Sequence, residues 1–192
     1  MIASELSLKR TSLPLVMPSV RKDTREILKK EARQVHEFNP LDHLEDHLRL
    51  LEHRFNRASS NELIIEMKGR WAEYNVFMIW DHETAMIYTA CGLEFGMDEG
   101  THGNLCKLLT LIHNNMWIGH FDLCEEKKII IFRHSFPLRD VETVTFGQFS
   151  DLINLTLQEC DRFYPAFVLL VEEGKCPEDA MESVMLETAG VA

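Results

Sequence analysis

Between Asn39 and Pro165 the chain alternates helical and strand-like patterns in the order helix, three strands, helix, two strands, helix. Apolar residues spaced three and four apart indicate amphipathic helices, whereas β-branched and aromatic runs bounded by turn residues indicate strands. The turns between consecutive strand runs are short, which favours antiparallel pairing over crossover connections. The order α-β-β-β-α-β-β-α therefore predicts an α+β domain built on a five-stranded antiparallel sheet.

The first half of this pattern contains one helix and three strands. Asn39 is a predicted N-cap and Pro40 suits the first helical turn. Four leucines and then Phe55 recur at helical spacing, and the polar residues 57–61 are predicted to end the helix. Strands are predicted at residues 63–68, 74–80 and 85–95. The second of these is almost continuously apolar, which predicts a central position in the sheet.

The second half is predicted to hold a helix near residues 105–116, a hairpin from residues 117–123 and 128–134, and a long helix. Thr145 and Gln148 match a capping box at the start of that helix, with Val144 and Phe149 spaced for a hydrophobic staple. Proline inside a helix removes one hydrogen bond, so Pro165 predicts a kink or a break. A short final helix is predicted at residues 177–187.

Charge divides the sequence into a basic and an acidic part. Residues 1–34 contain eight Lys/Arg and four Asp/Glu, whereas the remainder contains 12 Lys/Arg and 27 Asp/Glu. We interpret residues 1–37 as a basic, flexible extension, residues 38–174 as the α+β domain, and residues 175–192 as a short C-terminal helix and tail. An acidic domain repels phosphate, so nucleic-acid binding is not expected of it. The extension leaves an acidic partner, RNA or an anionic membrane as alternatives.

The apolar runs suggest a cytoplasmic protein with no membrane span. None approaches the ~20 residues that a spanning helix needs, and Pro14 and Pro18 interrupt the apolar stretch near the N-terminus. The five cysteines form no Cys-x-x-Cys pair and are interpreted as reduced thiols.

No catalytic, cofactor or metal motif is found. His43 and His47 lie four apart on the first helix, but Leu44 stands where a zinc-protease base would be and no third ligand is assigned. A solvated flank is the simpler interpretation of both histidines. Cys106 and His113 are separated by about 10 Å of helical rise, so they form no direct dyad, and core packing is predicted for Cys106. The chain is therefore predicted not to be an enzyme.

Two candidate sites follow. Ile64, Phe77 and Ile79 are apolar strand residues that an exposed sheet face or edge would present to a strand-like segment of a protein. The alternative is a small-molecule sensor or an unrecognised enzyme, with a pocket near Trp117, His120 and His134.

Several segments resemble the YbjN family, a group described as bacterial sensory transduction regulators. They are Asn-Pro-Leu-Asp at residues 39–42, Met-Trp-Ile-Gly-His-Phe-Asp at 116–122, Ile-Phe-Arg-His at 131–134, Cys-Asp-Arg-Phe-Tyr-Pro-Ala-Phe at 160–167, and residues 177–180 and 186–190. The element order also resembles the fold of type III secretion chaperones. This resemblance implies the fold but carries no catalytic residue with it. It implies a non-enzymatic protein-binding module, chaperone-like or regulatory, with an unidentified protein partner and a possible homodimer.

Overall fold

The computed structural model describes residues 39–98, 100–141 and 143–189. Within these ranges the chain forms four helices and six strands. The helices are α1 (Pro40–Leu50), α2 (His102–His113), α3 (Phe146–Val171) and α4 (Pro177–Ala189). The strands are β1 (Phe55–Ser59), β2 (Glu62–Lys68), β3 (Glu73–Asp81), β4 (Met86–Glu94), β5 (His120–Cys124) and β6 (Ile129–Pro137).

All six strands belong to one antiparallel sheet with the order β1-β2-β3-β4-β6-β5. The α+β class, the antiparallel pairing and the central place of residues 74–80 are confirmed. The strand count is corrected from five to six. The second hairpin also begins later than predicted, because β5 starts at His120 and residues 117–119 lie in the preceding loop.

The additional strand arises because the first helix ends five residues earlier than its hydrophobic spacing predicts. Leu51 is the C-cap, and Glu52 adopts a left-handed backbone conformation (φ 56°) that turns the chain out of the helix. The His53 N–H donates to Leu48 O at 3.0 Å, which closes the helix end. Phe55 then pairs with Ile65 in β1 instead of extending the helical stripe.

The four described helices lie on one side of the sheet, and we call that face of the sheet the helix face. Along β3 the buried residues alternate with half-buried or exposed ones, and the buried set continues on β2, β4, β6 and β5. Leucines of α1 and α2 and the aromatic residues of α3 share this core with the sheet. The opposite face, which we call the open face, has no buried side chain on β2, β3, β4 or β6.

Helix α3 crosses the helix face and begins as predicted. The Gln148 N–H donates to Thr145 Oγ1 at 3.2 Å, and Gln148 Oε1 accepts from the Thr145 N–H at 2.9 Å. These two bonds complete the capping box. The helix continues through Pro165 as one element, so the expected interruption there is at most a bend. Tertiary packing on both sides of Pro165 holds the two halves together: Phe163 and Phe167 are fully buried.

Helix α4 contributes Ala180, Met181 and Val184 to the same core and contacts α2 and α3. Its presence confirms the helix predicted near residues 177–187. Residues 1–38 lie outside the described ranges, so the basic extension and the domain boundaries stay predictions. None of the helices described is long and apolar enough to cross a membrane.

Candidate functional site

An apolar patch lies in the middle of the open face. In the ladder Phe77 pairs with Ile64 of β2 on one side and with Ala90 of β4 on the other. Ile79 is two residues further along β3 and pairs with Tyr88. We call Ile64, Phe77, Ile79 and Tyr88 the open-face patch. Side chains two apart on a strand and directly opposite across strands lie on one face, so the four side chains are neighbours.

These side chains are only partly covered. Ile64, Phe77 and Ile79 are half-buried, and Tyr88 is 36% exposed. None of the helices that the structure describes packs over them, since those helices lie on the opposite side of the sheet. The structure therefore brings the three predicted binding residues together on an accessible surface. That this surface binds a protein stays a prediction.

Carboxylates dominate the charges around the open-face patch. Arg133 of β6 is partly neutralised, because its Nη1 lies 3.5 Å from Asp122 Oδ2. The acidic side chains of this face outnumber its basic ones, with Glu62, Glu66, Glu73, Asp81, Glu94 and Asp122 against Lys68 and Arg133.

The residues of the alternative pocket point in different directions. His120 pairs with Arg133 and lies on the open face, whereas His134 is the next residue along β6 and lies on the helix face. Burial first, and the charge of His120 second, lower the pKa of His134. Trp117 is fully exposed in the loop before β5. None of these three residues lines the cavity between α2 and the β5–β6 hairpin.

A cavity of about 390 Å³ lies between α2 and the β5–β6 hairpin. His102 Nε2 is 2.9 Å from Glu125 Oε1, and both residues line the cavity. The same nitrogen is 3.8 Å from Cys106 Sγ, which lies outside the lining. Sequence reasoning missed this cluster: the four-residue spacing of His102 and Cys106 was available, but Glu125 comes from a distant turn. Side chains of seven residues line the cavity, namely Met97, Asp98, His102, Leu105, Leu123, Glu125 and Lys128.

This cluster also corrects the prediction for Cys106, which is exposed and not part of the core. Cys106 lies on the outward side of α2, because Leu105 and Leu109 of the same helix turn their side chains into the core. His102 and Glu125 are both largely exposed, at 49% and 75%. Water therefore reaches all three groups.

The histidines of α1 have different surroundings. His43 is exposed, but His47 is only 7% exposed, which corrects its predicted solvated position. The His47 ring stacks on Phe146 with centroids 4.6 Å apart, and its Nε2 is 3.0 Å from Ser150 Oγ. His47 thus joins α1 to the start of α3. In the described part of the chain, no three His, Cys, Asp or Glu side chains are grouped to hold a metal ion.

Comparison with solved structures finds the crystal structure of YbjN from E. coli, which is described there as "a putative transcription regulator". The similarity has a TM-score of 0.46 and a sequence identity of 16%, and it covers 64% of this chain and 87% of that one. No curated protein matches the sequence.

The family comparison is more extensive. Residues 40–168 match the model of the YbjN family, whose description is "Putative bacterial sensory transduction regulator". The match covers more than half of the chain and extends from the start of α1 into the last part of α3. It confirms the resemblance seen in the sequence, and we conclude that the chain belongs to the YbjN family.

Proposed function

We propose that this protein is a non-enzymatic regulatory module of the cytoplasm that binds a protein partner through the open-face patch. The observation that carries the proposal is the row of apolar side chains on the sheet face that none of the helices within residues 39–98, 100–141 and 143–189 covers. Adjacent apolar side chains left accessible in this way are typical of binding surfaces. The family description, a regulator, agrees with a binding role and names no reaction.

The charges on the open face limit the class of protein segment that can bind there. An apolar centre gains free energy when a partner removes it from water, at about 25 cal/mol per Å² of apolar area. The surrounding carboxylates add selectivity, because they attract Lys and Arg and repel acidic segments. We therefore expect a partner segment that combines apolar residues with basic ones.

A homodimer formed by two open faces is less favourable than a complex with a different protein. Such a dimer would place the acidic rims of two copies against each other, and like charges at an interface cost free energy. The net charge of −11 adds to that repulsion. Chaperone-like activity is the more specific form of the proposal, and it rests on the element order alone.

The test is capture of partners from a native lysate with three forms of the full-length protein. These are the unchanged protein, the double variant Phe77→Asn with Ile79→Asn, and the control Glu126→Gln in the exposed β5–β6 turn. A stoichiometric protein that is retained by the unchanged and control forms but lost with the double variant supports the proposal. Equal retention by all three forms contradicts the assignment to the open face, provided that circular dichroism shows the double variant to be folded.

The same experiment separates the protein-binding function from the small-molecule alternative. Native mass spectrometry of the captured protein would detect a bound metabolite as a defined mass increment. A retained small molecule without any protein partner would contradict the proposed function. It would favour the cavity near His102.

A further inference from the structure

The two edges of the sheet differ in whether their backbone groups are free to pair with another strand. At the β5 edge, the Phe121 N–H donates to His113 Nε2 at 3.1 Å, and the same nitrogen is 2.9 Å from Phe121 O. The Leu123 N–H donates to its neighbour Asp122 at 3.0 Å. Side chains thus lie against the outward groups of Phe121 and occupy the outward N–H of Leu123. Edges protected in this way do not accept another strand readily.

The β1 edge has the opposite character. The Glu66 N–H donates to Arg54 O at 2.9 Å, which makes Arg54 and Glu66 a hydrogen-bonded pair. Such pairs alternate along an antiparallel ladder, so Asn56 also bonds to β2, whereas the N–H and C=O groups of Phe55 and Arg57 point outward. Among the described residues, no hydrogen bond reaches these four outward groups.

The Arg57 side chain does not cover this edge, because it folds back over the helix side. Its guanidinium donates to Asp42 Oδ1 at 3.0 Å and to Glu45 Oε2 at 3.3 Å. Its Nε donates to Ser59 O at 2.7 Å. The helix side of β1 is therefore bordered by three carboxylates, Asp42, Glu45 and Asp46. They outnumber the two arginines that pair with them, Arg49 and Arg57. Asp42 and Asp46 are each 70% exposed.

On the other side of the edge, the open face begins with small side chains. Asn56 and Ala58 are exposed, and Asn56 pairs with Ile64 of the open-face patch. A strand added beside β1 would extend the open face by one strand. Its side chains on that face would lie next to Asn56 and close to Ile64. Its alternate side chains would lie beside Phe55 and Arg57, near the acidic residues of α1.

We propose that the β1 edge binds an extended segment of a protein partner as a seventh, antiparallel strand with alternating basic and apolar side chains. The basic residues lie opposite Phe55 and Arg57, and the apolar residues face the same way as the open-face patch. Antiparallel addition continues the pattern of the whole sheet and pairs slightly better than parallel addition. The proposal rests on the proposed function and specifies how the partner is held.

The probe is a seven-residue peptide of alternating Lys and Ile that begins and ends with Lys, acetylated and amidated at its ends. Binding to the ¹⁵N-labelled full-length protein is followed by NMR titration and amide hydrogen exchange. We expect slower exchange at the outward Phe55 and Arg57 amides. No slowing is expected at Phe121 or Leu123, whose amides already have partners.

Two N-methylated peptides provide a matched comparison at constant charge and nearly constant size. Residues directly opposite each other share a face, so the two central Lys residues direct their N–H groups at β1 and the Ile residues direct theirs away. N-methylation of the two central Lys residues should weaken binding about tenfold or more, as expected for two lost hydrogen bonds. N-methylation of two Ile residues should change the dissociation constant by about twofold at most.

Four results of the peptide experiments would overturn the proposal. They are no saturable binding, equal loss from both N-methylated peptides, a larger loss from methylation at Ile, and exchange protection confined to the β5 edge. A dimer seen by sedimentation that excludes the peptide would assign the β1 edge to a second copy, and would equally overturn it.

The double variant Phe77→Asn with Ile79→Asn distinguishes this proposal from the proposed function. It should lose the natural partner but retain peptide binding within about threefold, because backbone pairing at β1 does not use either side chain. If the variant retains the partner while the peptide still protects Phe55 and Arg57, the open-face assignment fails and the β1 edge proposal stands.

Discussion

The Tyr74 hydroxyl donates a hydrogen bond of 2.8 Å to Asp161 Oδ1, joining the start of β3 to the middle of α3. The same carboxylate accepts the Arg70 N–H at 2.9–3.0 Å, so it also holds the turn between β2 and β3. Burial first and the Asp161 hydrogen bond second raise the pKa of Tyr74 far above its ordinary range. Asp161 therefore links α3 to the β2–β3 turn and to β3 by accepting hydrogen bonds from two donors.

Substitution of Tyr74 by Phe should destabilise the domain by about 1.5–3 kcal/mol, because it removes a hydrogen bond to a charged group and leaves Asp161 with one donor. The free energy of unfolding can be measured by urea denaturation. Tyr164→Phe is the matched control: its ring packs against Tyr74 and Phe95, and no hydrogen bond of its hydroxyl is found in the described ranges. The control should change the free energy of unfolding by less than about 0.5 kcal/mol. Equal effects of the two variants would contradict the assigned role of Asp161.

Two glycine substitutions should have effects of opposite sign. Gly119 has a left-handed backbone (φ 73°), and an added Cβ would overlap the Phe132 ring and lie 3.0 Å from Arg133 O. Gly119→Ala should therefore lower the free energy of unfolding by about 2 kcal/mol or more. Gly103 lies in α2 with no atom within 4 Å of an added Cβ. Gly103→Ala should raise stability by up to about 1 kcal/mol. Thermal unfolding of both variants would check the pair, and a neutral Gly119→Ala would show that the loop before β5 can rearrange.

Stability should decrease as the pH falls through the ordinary range of histidine. The pKa of His134 is lowered from 6.5 in the folded state, so below about pH 6.5 the unfolded chain binds a proton before the folded chain does. That difference lowers the free energy of unfolding until the pH reaches the folded pKa, where the effect levels off. His134→Gln should remove this part of the pH dependence. Denaturant unfolding at pH 7.5 and pH 5.5 measures the difference.

His120→Gln is the graded control for the same experiment. It removes the secondary cause of the shift and leaves burial in place, so its pH dependence should lie between those of the unchanged protein and His134→Gln. An unchanged pH dependence in His134→Gln would assign the effect to other groups.

The five cysteine thiols should fall into three classes by their rate of reaction with Ellman's reagent. Cys106 and Cys176 are exposed, Cys124 is half-buried, and Cys91 and Cys160 are buried between β4 and α3. A hydrogen bond with Cys91 and burial raise the pKa of Cys160, which keeps it in the unreactive thiol form. Ellman's reagent should label the exposed pair at once and the buried pair only on unfolding. Cys106→Ser should remove one rapid thiol, and rapid labelling of a buried thiol would mean that α3 separates from the sheet in the native state.

Local sequence patterns predicted the helices and strands that bury one side in the core. The capping box at Thr145, the apolar run of β3 and the helical leucines of α1 each carry a local signal, and the structure contains all three elements. The signal failed at β1, because only Phe55 of its five residues is a large apolar one. Phe55 also stands at helical spacing after Leu51, so a helix and an edge strand shared the same pattern. Glu52 decides between them through a backbone conformation that its residue type does not favour.

The candidate surface was predictable in its residues but not in its arrangement. The alternation of β2 and β3 indicates which side chains share a face, but not that the four helices of the described ranges would all lie on the other side. The pairing of Asp161 with Tyr74, 87 residues apart, has no sequence signature. His113 accepts the Phe121 N–H at the β5 edge, and only the folded chain brings these two groups, eight residues apart, within hydrogen-bond distance.

The order of the elements along the chain has a consequence for biosynthesis. Strands β1–β4 leave the ribosome well before residues 146–171, although α3 covers the apolar side of those strands. At about 5–20 residues per second, the gap between β4 and the end of α3 corresponds to several seconds or more of synthesis. Of the helices described, α1 and then α2 are made before α3 and can shield the apolar side of the nascent sheet during that time. The apolar side of β1–β4 therefore waits longer for its cover than it would in a chain whose covering helix is made first.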